Sequence, residues 1–258
     1  MNDKIENMKL PVVLGKNDKG EIITKDLVDY CHILIGGISG QGKTTCINTI
    51  VTSLLKEKTP DEVKFIFASC FKMQLCPFED LNKEFIVQRP NQNEKILQDF
   101  DDVMEMLKWL HEEMDNRYEL LKNASSSKFE DINQPRIVCI IDEYADYIMM
   151  DDEFEKEIRF IAPLCAQVGI HLILTTMRPT DNIVTPTIRV HIPMHIAFKV
   201  YDEECSRVLL CKNGAENLTG PGDMLISFDD ETMHLQGIFI EDDELENITK
   251  GVDSYKSL

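Results

Sequence analysis

The sequence predicts an α/β fold of three layers, with a mainly parallel central sheet. Near-continuous apolar runs recur at "CHILIGG", "VKFIFAS", "RIVCIID", "IHLILTT" and "MHIAFKV". Strands this apolar cannot leave one face in water, so helices must cover both. Helix-period segments separate most of these runs, which is the alternation of a parallel sheet with crossover helices. The first run also leads through the chain's densest glycine cluster into a helix-like stretch.

That cluster lies in "HILIGGISGQGKTTCINTI", residues 32–50, where Gly37, Gly42, Lys43 and Thr44 stand at the spacing G-x-x-x-x-G-K-[ST]. This is the pattern of a loop whose amides wrap a polyphosphate. The glycines reach backbone angles denied to other residues, and the helix that follows adds its positive end. ATP contacts are therefore expected from Gly37, Ser39, Gly40, Gln41, Gly42, Lys43, Thr44 and Thr45. Lys43 should reach the β- and γ-phosphate oxygens, and the Thr44 hydroxyl should ligate Mg²⁺.

In "NEKILQDFDDVMEMLKWLHEEMDNRYELLKNA", Ile96, Phe100, Val103, Leu107, Leu110, Met114 and Tyr118 recur three or four apart. One long helix with an apolar stripe is predicted, with Trp109 as packing. Residues 123–135 read as a polar loop. The next strand runs from Ile137 to Ile141 into Asp142 and Glu143. A buried parallel strand thus delivers acids at its carboxyl end, where ligands of such sheets bind. Asp142 is expected to hold Mg²⁺ through water and Glu143 to polarise the attacking water as general base.

"FIAPLCAQVGIHLILTTM" contains Pro163, Gln167, Gly169 and His171, so it reads as a helix end, a glycine stop and a strand rather than a membrane span. At that strand's end Thr175 or Thr176 suits a γ-phosphate sensor. Arg178 suits either the nucleotide, a neighbouring subunit or an ordinary surface turn. "LTGPGDMLISFDDETMHLQGIFI" predicts two strands joined by an acidic turn, a C-terminal hairpin at the sheet's edge. The domain reading is an extension over 1–9, one α/β domain over 10–250 and a tail over 251–258.

A formal net charge of −19 argues against a uniformly basic nucleic-acid face, and the acidic runs read as solvated surface. The eight cysteines are scattered, which suits a reducing compartment. Cys70 with Cys76, and Cys205 with Cys211, lack the further Cys/His cluster that zinc needs. "MNDKIENMKLPVV" has no apolar core segment, so no signal peptide is expected. The location expected is cytoplasmic, with tethering to a membrane open through a segment or partner outside this chain.

Taken in order, "LPVVLGKNDKGEIITKDL", "HILIGGISGQGKTTCINTIVTSLL", "VCIIDEYADYIM", "GIHLILTTMRP", "IPMHIAF" and "GAENLTGPGDML" resemble the motor domain of FtsK/SpoIIIE-type DNA translocases over nearly the whole chain. The resemblance implies a P-loop NTPase of RecA-like type and a homo-oligomeric ring, usually a hexamer. It further implies ATP bound between subunits with Mg²⁺, and double-stranded DNA drawn through the pore. It also implies an arginine acting in trans, for which Arg159, Arg178 and Arg207 are candidates. Lys72, Lys199 and Arg189 are candidates for pore contacts. Three departures stand out: the family's D-P-K reads "SCFK", its T-Q-R-P reads "TMRP", and its K-A-R reads "LCAQV". Two other functions stay open: a related ATPase driving specialised protein secretion, or a nucleotide-gated assembly module with negligible hydrolysis.

Overall fold

The computed structural model describes residues 5, 7–89, 94–228 and 231–251. Among them, ten strands form one mixed sheet: β1 (Pro11–Lys16), β2 (Ile22–Asp26), β3 (Ile33–Gly36), β4 (Val63–Ser69), β5 (Ile96–Leu97), β6 (Arg136–Asp142), β7 (Ile170–Thr176), β8 (Met194–Ala197), β9 (Asp223–Phe228) and β10 (Glu231–Gln236). Their order is β2-β1-β10-β9-β8-β3-β7-β6-β4-β5. The pairs from β8 to β5 are all parallel, and the pairs from β8 outward to β2 are all antiparallel.

The parallel half is buried on both faces, as its apolar runs require. Leu34, Ile66, Ile137, Cys139, Ile141, Leu172 and Leu174 pack on one face. Their strand neighbours Ile33, Ile35, Phe65, Phe67, Val138, Ile140 and Ile173 pack on the other. Helices α2 (Phe100–Asn123), α3 (Tyr144–Met150), α4 (Asp152–Cys165), α5 (Pro186–His191) and α6 (Glu203–Leu210) contribute to the first layer. Helices α1 (Lys43–Glu57) and α7 (Asp242–Thr249) contribute to the second. No helix among the described residues is long and apolar enough to cross a membrane.

Two expectations need correction. The C-terminal hairpin β9–β10 is not at the sheet's edge: β9 pairs with β8, while β10 is covered by β1 and then β2. The N-terminal strands carry enough apolar surface (Leu10, Val12 and Leu14 are buried) to dock on the hairpin and cap it. Second, the long helix starts at Phe100 rather than before Ile96. Ile96 and Leu97 instead pair with Phe67 and Ala68 on the open side of β4. Asp99 then stands at the N-cap, with Asp101 and Asp102 in the first turn, a favourable acidic start for a helix. Further along, Val103, Leu107, Leu110 and Met114 are buried as the periodicity predicts.

Gly169 does end the helical segment before β7, with φ of +74°. A Cβ there would lie 2.5 Å from the Phe129 ring, so close approach requires glycine as much as the turn does. The hairpin's acidic turn at 229–230, residues 1–4 and 6 of the extension, residues 252–258 of the tail and the side chain of Lys72 lie outside the described residues.

Candidate functional site

Strand order places the glycine loop and the acidic strand together. β3 feeds the loop, β6 ends in Asp142, and β7 is the single strand between them. Ile35 and Gly36 lie opposite Thr175 and Thr176, and Ile141 lies opposite Leu174. The carboxyl ends of three parallel strands therefore converge, the position where α/β sheets bind ligands.

The loop is shaped by its backbone. The Gly37 N–H donates to the Thr176 carbonyl at 3.2 Å and the Ile38 N–H to the Lys199 carbonyl at 2.8 Å. At Gly42, the N-cap of α1, φ is +120° and a Cβ would meet Phe198 at 3.1 Å and the Gly222 nitrogen at 3.2 Å. Both conformation and space therefore exclude a side chain. The Gln41 carbonyl accepts from the Gly222 N–H at 2.8 Å, tying the loop to the turn before β9.

Lys43 is buried, and its ammonium donates to the Gly37 carbonyl at 2.9 Å. It also lies 3.3 Å from Glu143 Oε1, an ion pair between two nearly inaccessible side chains. That Oε1 has no hydrogen-bond partner of good geometry, whereas Oε2 accepts from the Met177 N–H at 2.7 Å. Glu143 itself adopts a left-handed backbone, φ +51° and ψ +50°, a conformation costly for a residue with a Cβ.

Asp142 is wholly buried. Oδ1 accepts from the Thr175 hydroxyl at 2.6 Å, and Oδ2 lies 3.2 Å from the Ser69 hydroxyl. The Thr175 oxygen also accepts from the Glu143 N–H at 2.9 Å. One hydroxyl thus fixes both the carboxylate of Asp142 and the turn that presents Glu143. Burial pushes the Asp142 carboxyl above the ordinary aspartate range, against hydrogen bonds from Thr175 and Ser69. Burial also raises Glu143, opposed chiefly by the Lys43 charge. A raised carboxyl is better matched to taking a proton near neutral pH.

The glycine loop opens on a cleft of about 400 Å³ lined by Ser39, Gly40, Gly42, Lys43, Thr44 and Thr45, with Gln74, Met177 and residues of the antiparallel half beyond. Asp142 and Glu143 stand behind Lys43 rather than on its wall. Thr44 lines this cleft and Asp142 is buried behind it with its oxygens bonded to Thr175 and Ser69; a hydroxyl and a carboxylate are oxygen donors of the kind Mg²⁺ takes. With glycines at positive φ lining an open cradle, these residues fit a metal-bound polyphosphate.

The other candidates are distributed differently. Thr175 gives its single proton to Asp142, leaving none for a γ-phosphate. Thr176 accepts from the Arg178 N–H at 2.9 Å and keeps its own proton. Arg178 is exposed beside Met149, in a second hollow of about 290 Å³ that also contains Met177 and Tyr201. Arg159 is exposed on α4, 4.0 Å from Glu155, and Arg207 is exposed on α6, bonded to Glu203 and Asn213. The Arg189 guanidinium donates to the Val208 carbonyl at 3.3 Å, and Lys199 is half-buried beside the loop. Sequence reasoning missed the Thr175 clamp and the Met177 N–H. A hydroxyl at the end of an apolar strand was the visible signal for the first, but a backbone donor leaves none.

The sequence model of the FtsK/SpoIIIE family matches residues 2–134, more than half of the chain. The chain belongs to the FtsK/SpoIIIE family. Among relatives of this FtsK/SpoIIIE chain, a DNA translocase FtsK of Chlorobaculum tepidum is 38% identical over 231 residues, covering 86% of this chain and 29% of that protein. The DNA translocase SpoIIIE of Bacillus subtilis is 32% identical over 271 residues, covering 98% and 33%. The chain spans about a third of the length of the curated relatives it matches. In structure it is similar to the pCW3 conjugation coupling protein TcpA, solved with ATPγS, at a TM-score of 0.81 and 23% identity, covering 98% of this chain and 73% of that one. It is also similar to the cytoplasmic domain of the type VII secretion ATPase EccC of Thermomonospora curvata, at a TM-score of 0.80 and 18% identity, covering 95% and 31%. These two likenesses show the fold and no more.

Proposed function

We propose that residues 10–250 are the ATP-hydrolysing motor of a double-stranded-DNA translocase, working in the cytoplasm as a homo-oligomeric ring, with no membrane contact of its own. The observation that carries the chemistry is the 3.3 Å approach of Lys43 to Glu143 beneath the glycine loop. In this reading Gly37 to Gly42 cradle the phosphates with their amides, and Ser39, Gln41 and Thr45 complete the wall. The incoming triphosphate draws the Lys43 ammonium from Glu143 to the β- and γ-oxygens. Glu143 Oε1 is then released to polarise water, while its Oε2 stays fixed on the Met177 N–H. Thr44 and Asp142 would hold Mg²⁺, which when bound offsets charge on the phosphate oxygens. Thr176 keeps a hydroxyl proton for the γ-phosphate. Arg159, Arg178 and Arg207 are exposed at different places, and one of them serves the neighbouring subunit's site.

DNA as cargo rests on the relatives named DNA translocases, which match nearly the whole chain. The net charge of −19 favours the rival cargo, a secreted polypeptide. Glu143→Gln should lower ATP turnover by about 10²–10⁴-fold while leaving ATP bound, since general-base catalysis is worth that much. Unchanged turnover would instead identify a nucleotide-gated assembly module. Wild-type turnover should rise with duplex DNA at low salt. The apparent DNA affinity should fall by roughly 0.9 log units per contacted phosphate for each log unit of salt. Stimulation by a secreted protein's tail alone would reassign the cargo, and particle mass measured alongside reports the ring.

A further inference from the structure

Most polar side chains on the cleft wall already have an assignment. Ser39, Thr44 and Thr45 belong to the glycine loop and the first turn of α1. Farther out, the Gln236 amide donates to the Pro221 carbonyl at 3.1 Å. The Thr49 hydroxyl has its single proton between the Thr45 and Ile238 carbonyls, each at 2.9 Å. Cys46 is a buried thiol, a weak donor, and Leu14, Ile238 and Phe239 are apolar. Gln74 differs from all of them. It lines the same cleft and is half-buried, and among the described residues its side-chain amide has no hydrogen-bond partner.

Strand order brings that amide beside the acidic strand. β6 lies between β4 and β7, and Ser69 at the end of β4 stands opposite Asp142. The chain therefore leaves the sheet on either side of Glu143, into Met177 from β7 and toward Gln74 from β4. Both side chains line the cleft, and a thioether donates no hydrogen bond. The turn that carries Gln74 is latched to the site. The Ser69 hydroxyl accepts from the Phe71 N–H at 3.1 Å, and its own proton lies between the Phe71 carbonyl at 3.1 Å and Asp142 Oδ2 at 3.2 Å. The Gln74 N–H donates to the same Phe71 carbonyl at 3.0 Å, within the single helical turn Lys72–Leu75. What holds Asp142 thus also sets where the Gln74 side chain begins.

A water that attacks the terminal phosphate needs more than a base. Its oxygen bonds to the γ-phosphorus as the bond to the β–γ bridging oxygen breaks, and ADP leaves with that electron pair. One water proton passes to Glu143 Oε1, and the other must be held so that the lone pair faces phosphorus. A primary amide can accept from that water through oxygen and donate to a phosphate through nitrogen. Thr175 has given its proton to Asp142, and the Thr176 oxygen already accepts from the Arg178 N–H. We propose that Gln74 positions the attacking water, its amide oxygen taking a hydrogen bond from the water and its amide nitrogen donating to a γ-phosphate oxygen. The assignment rests on the reading of Glu143 as the general base of an ATPase.

The test measures kcat and KM for ATP with Mg²⁺, and calorimetric ATP binding, on the full chain and on Gln74→Met, Gln74→Glu, Glu143→Gln and the double variant Gln74→Met with Glu143→Gln. Gln74→Met keeps the length and loses the amide, so kcat should fall by about 10²-fold, the scale of a misplaced reactant, with ATP binding little changed. Gln74→Glu keeps an acceptor but sets a charge against the γ-phosphate, so KM for ATP should rise. Gln74 acts only on the water that Glu143 activates, so the double variant should be little slower than Glu143→Gln alone. The assignment is overturned if Gln74→Met turns over as the wild type does while Glu143→Gln is impaired. It is also overturned if ATP binding falls as far as turnover, if the two losses multiply, or if Gln74→Glu leaves KM unchanged. Wild-type protein without turnover, or a Glu143→Gln variant as fast as wild type, would strike the general-base reading and this assignment with it.

Discussion

The two halves of the sheet face the same cleft and are built on opposite principles. In the parallel half the strands are buried on both faces; Ser69, Asp142 and Thr175 satisfy one another at the carboxyl ends, while His171 and His195 are buried near the starts of β7 and β8. In the antiparallel half β9 alternates between buried and half-buried positions, and β10 is largely open. Its contribution to the cleft is a wall of backbone ties and apolar side chains. The contrast separates chemistry, which needs charges held in a dry, over-determined frame, from shape, which needs only a fixed surface.

Three substitutions strain that contrast, in descending order of effect. Leu14→Ala removes a buried side chain from the antiparallel half and should cost about 2–5 kcal/mol of stability. At roughly 2–4 °C per kcal/mol for a chain of this size, a melting scan reads it directly. Leu14 also lines the cleft, so the KM for ATP should rise, whereas turnover per folded molecule at saturating ATP should hardly move. Thr175→Val should do the reverse: a modest change in melting temperature, but about 10- to 100-fold lower kcat, because Asp142 and the Glu143 turn lose a shared anchor. Thr175→Ser, which keeps the hydroxyl, should recover most of it. If Leu14→Ala lowered kcat as severely as Thr175→Val, the division between halves would be wrong.

Asp142→Asn should have the smallest effect on stability, and its sign follows from burial. The folded chain holds the Asp142 proton more tightly than the unfolded chain does, so stability falls as pH rises from the unfolded pKa through the higher folded one. Asparagine removes that penalty. The variant should melt slightly above wild type at pH 7, with the gap closing in acid, as paired thermal scans across pH would report. A gap that widened in acid would mean that the two hydroxyls outweigh desolvation at this carboxylate.

The same contrast governs what could be read in the sequence. β3, β4, β6 and β7 were legible because a doubly buried strand must be apolar throughout, and Lys43, Asp142 and Glu143 were legible because local spacing or strand-end position marks them. Ile96 misled because a two-residue strand against β4 happens to fall in phase with the helix that follows it. The hairpin's place inside the sheet was invisible, since it depends on residues 11–26 returning to cover β10. Phe239 carried no motif at all. Its exposure beside the cleft belongs to the folded chain, in which the neighbouring Ile238 is tied to Thr49, 189 residues away in sequence.

β7 sits between the phosphate strand and the acidic strand, and its last two threonines serve different neighbours. Thr176 offers its carbonyl to Gly37, and Thr175 offers its hydroxyl to Asp142. A slide of a single position would exchange inward and outward faces along the whole strand. It would leave the aspartate without its donor and the loop without its anchor, so the alignment of this one central ribbon acts as the machine's timing mark.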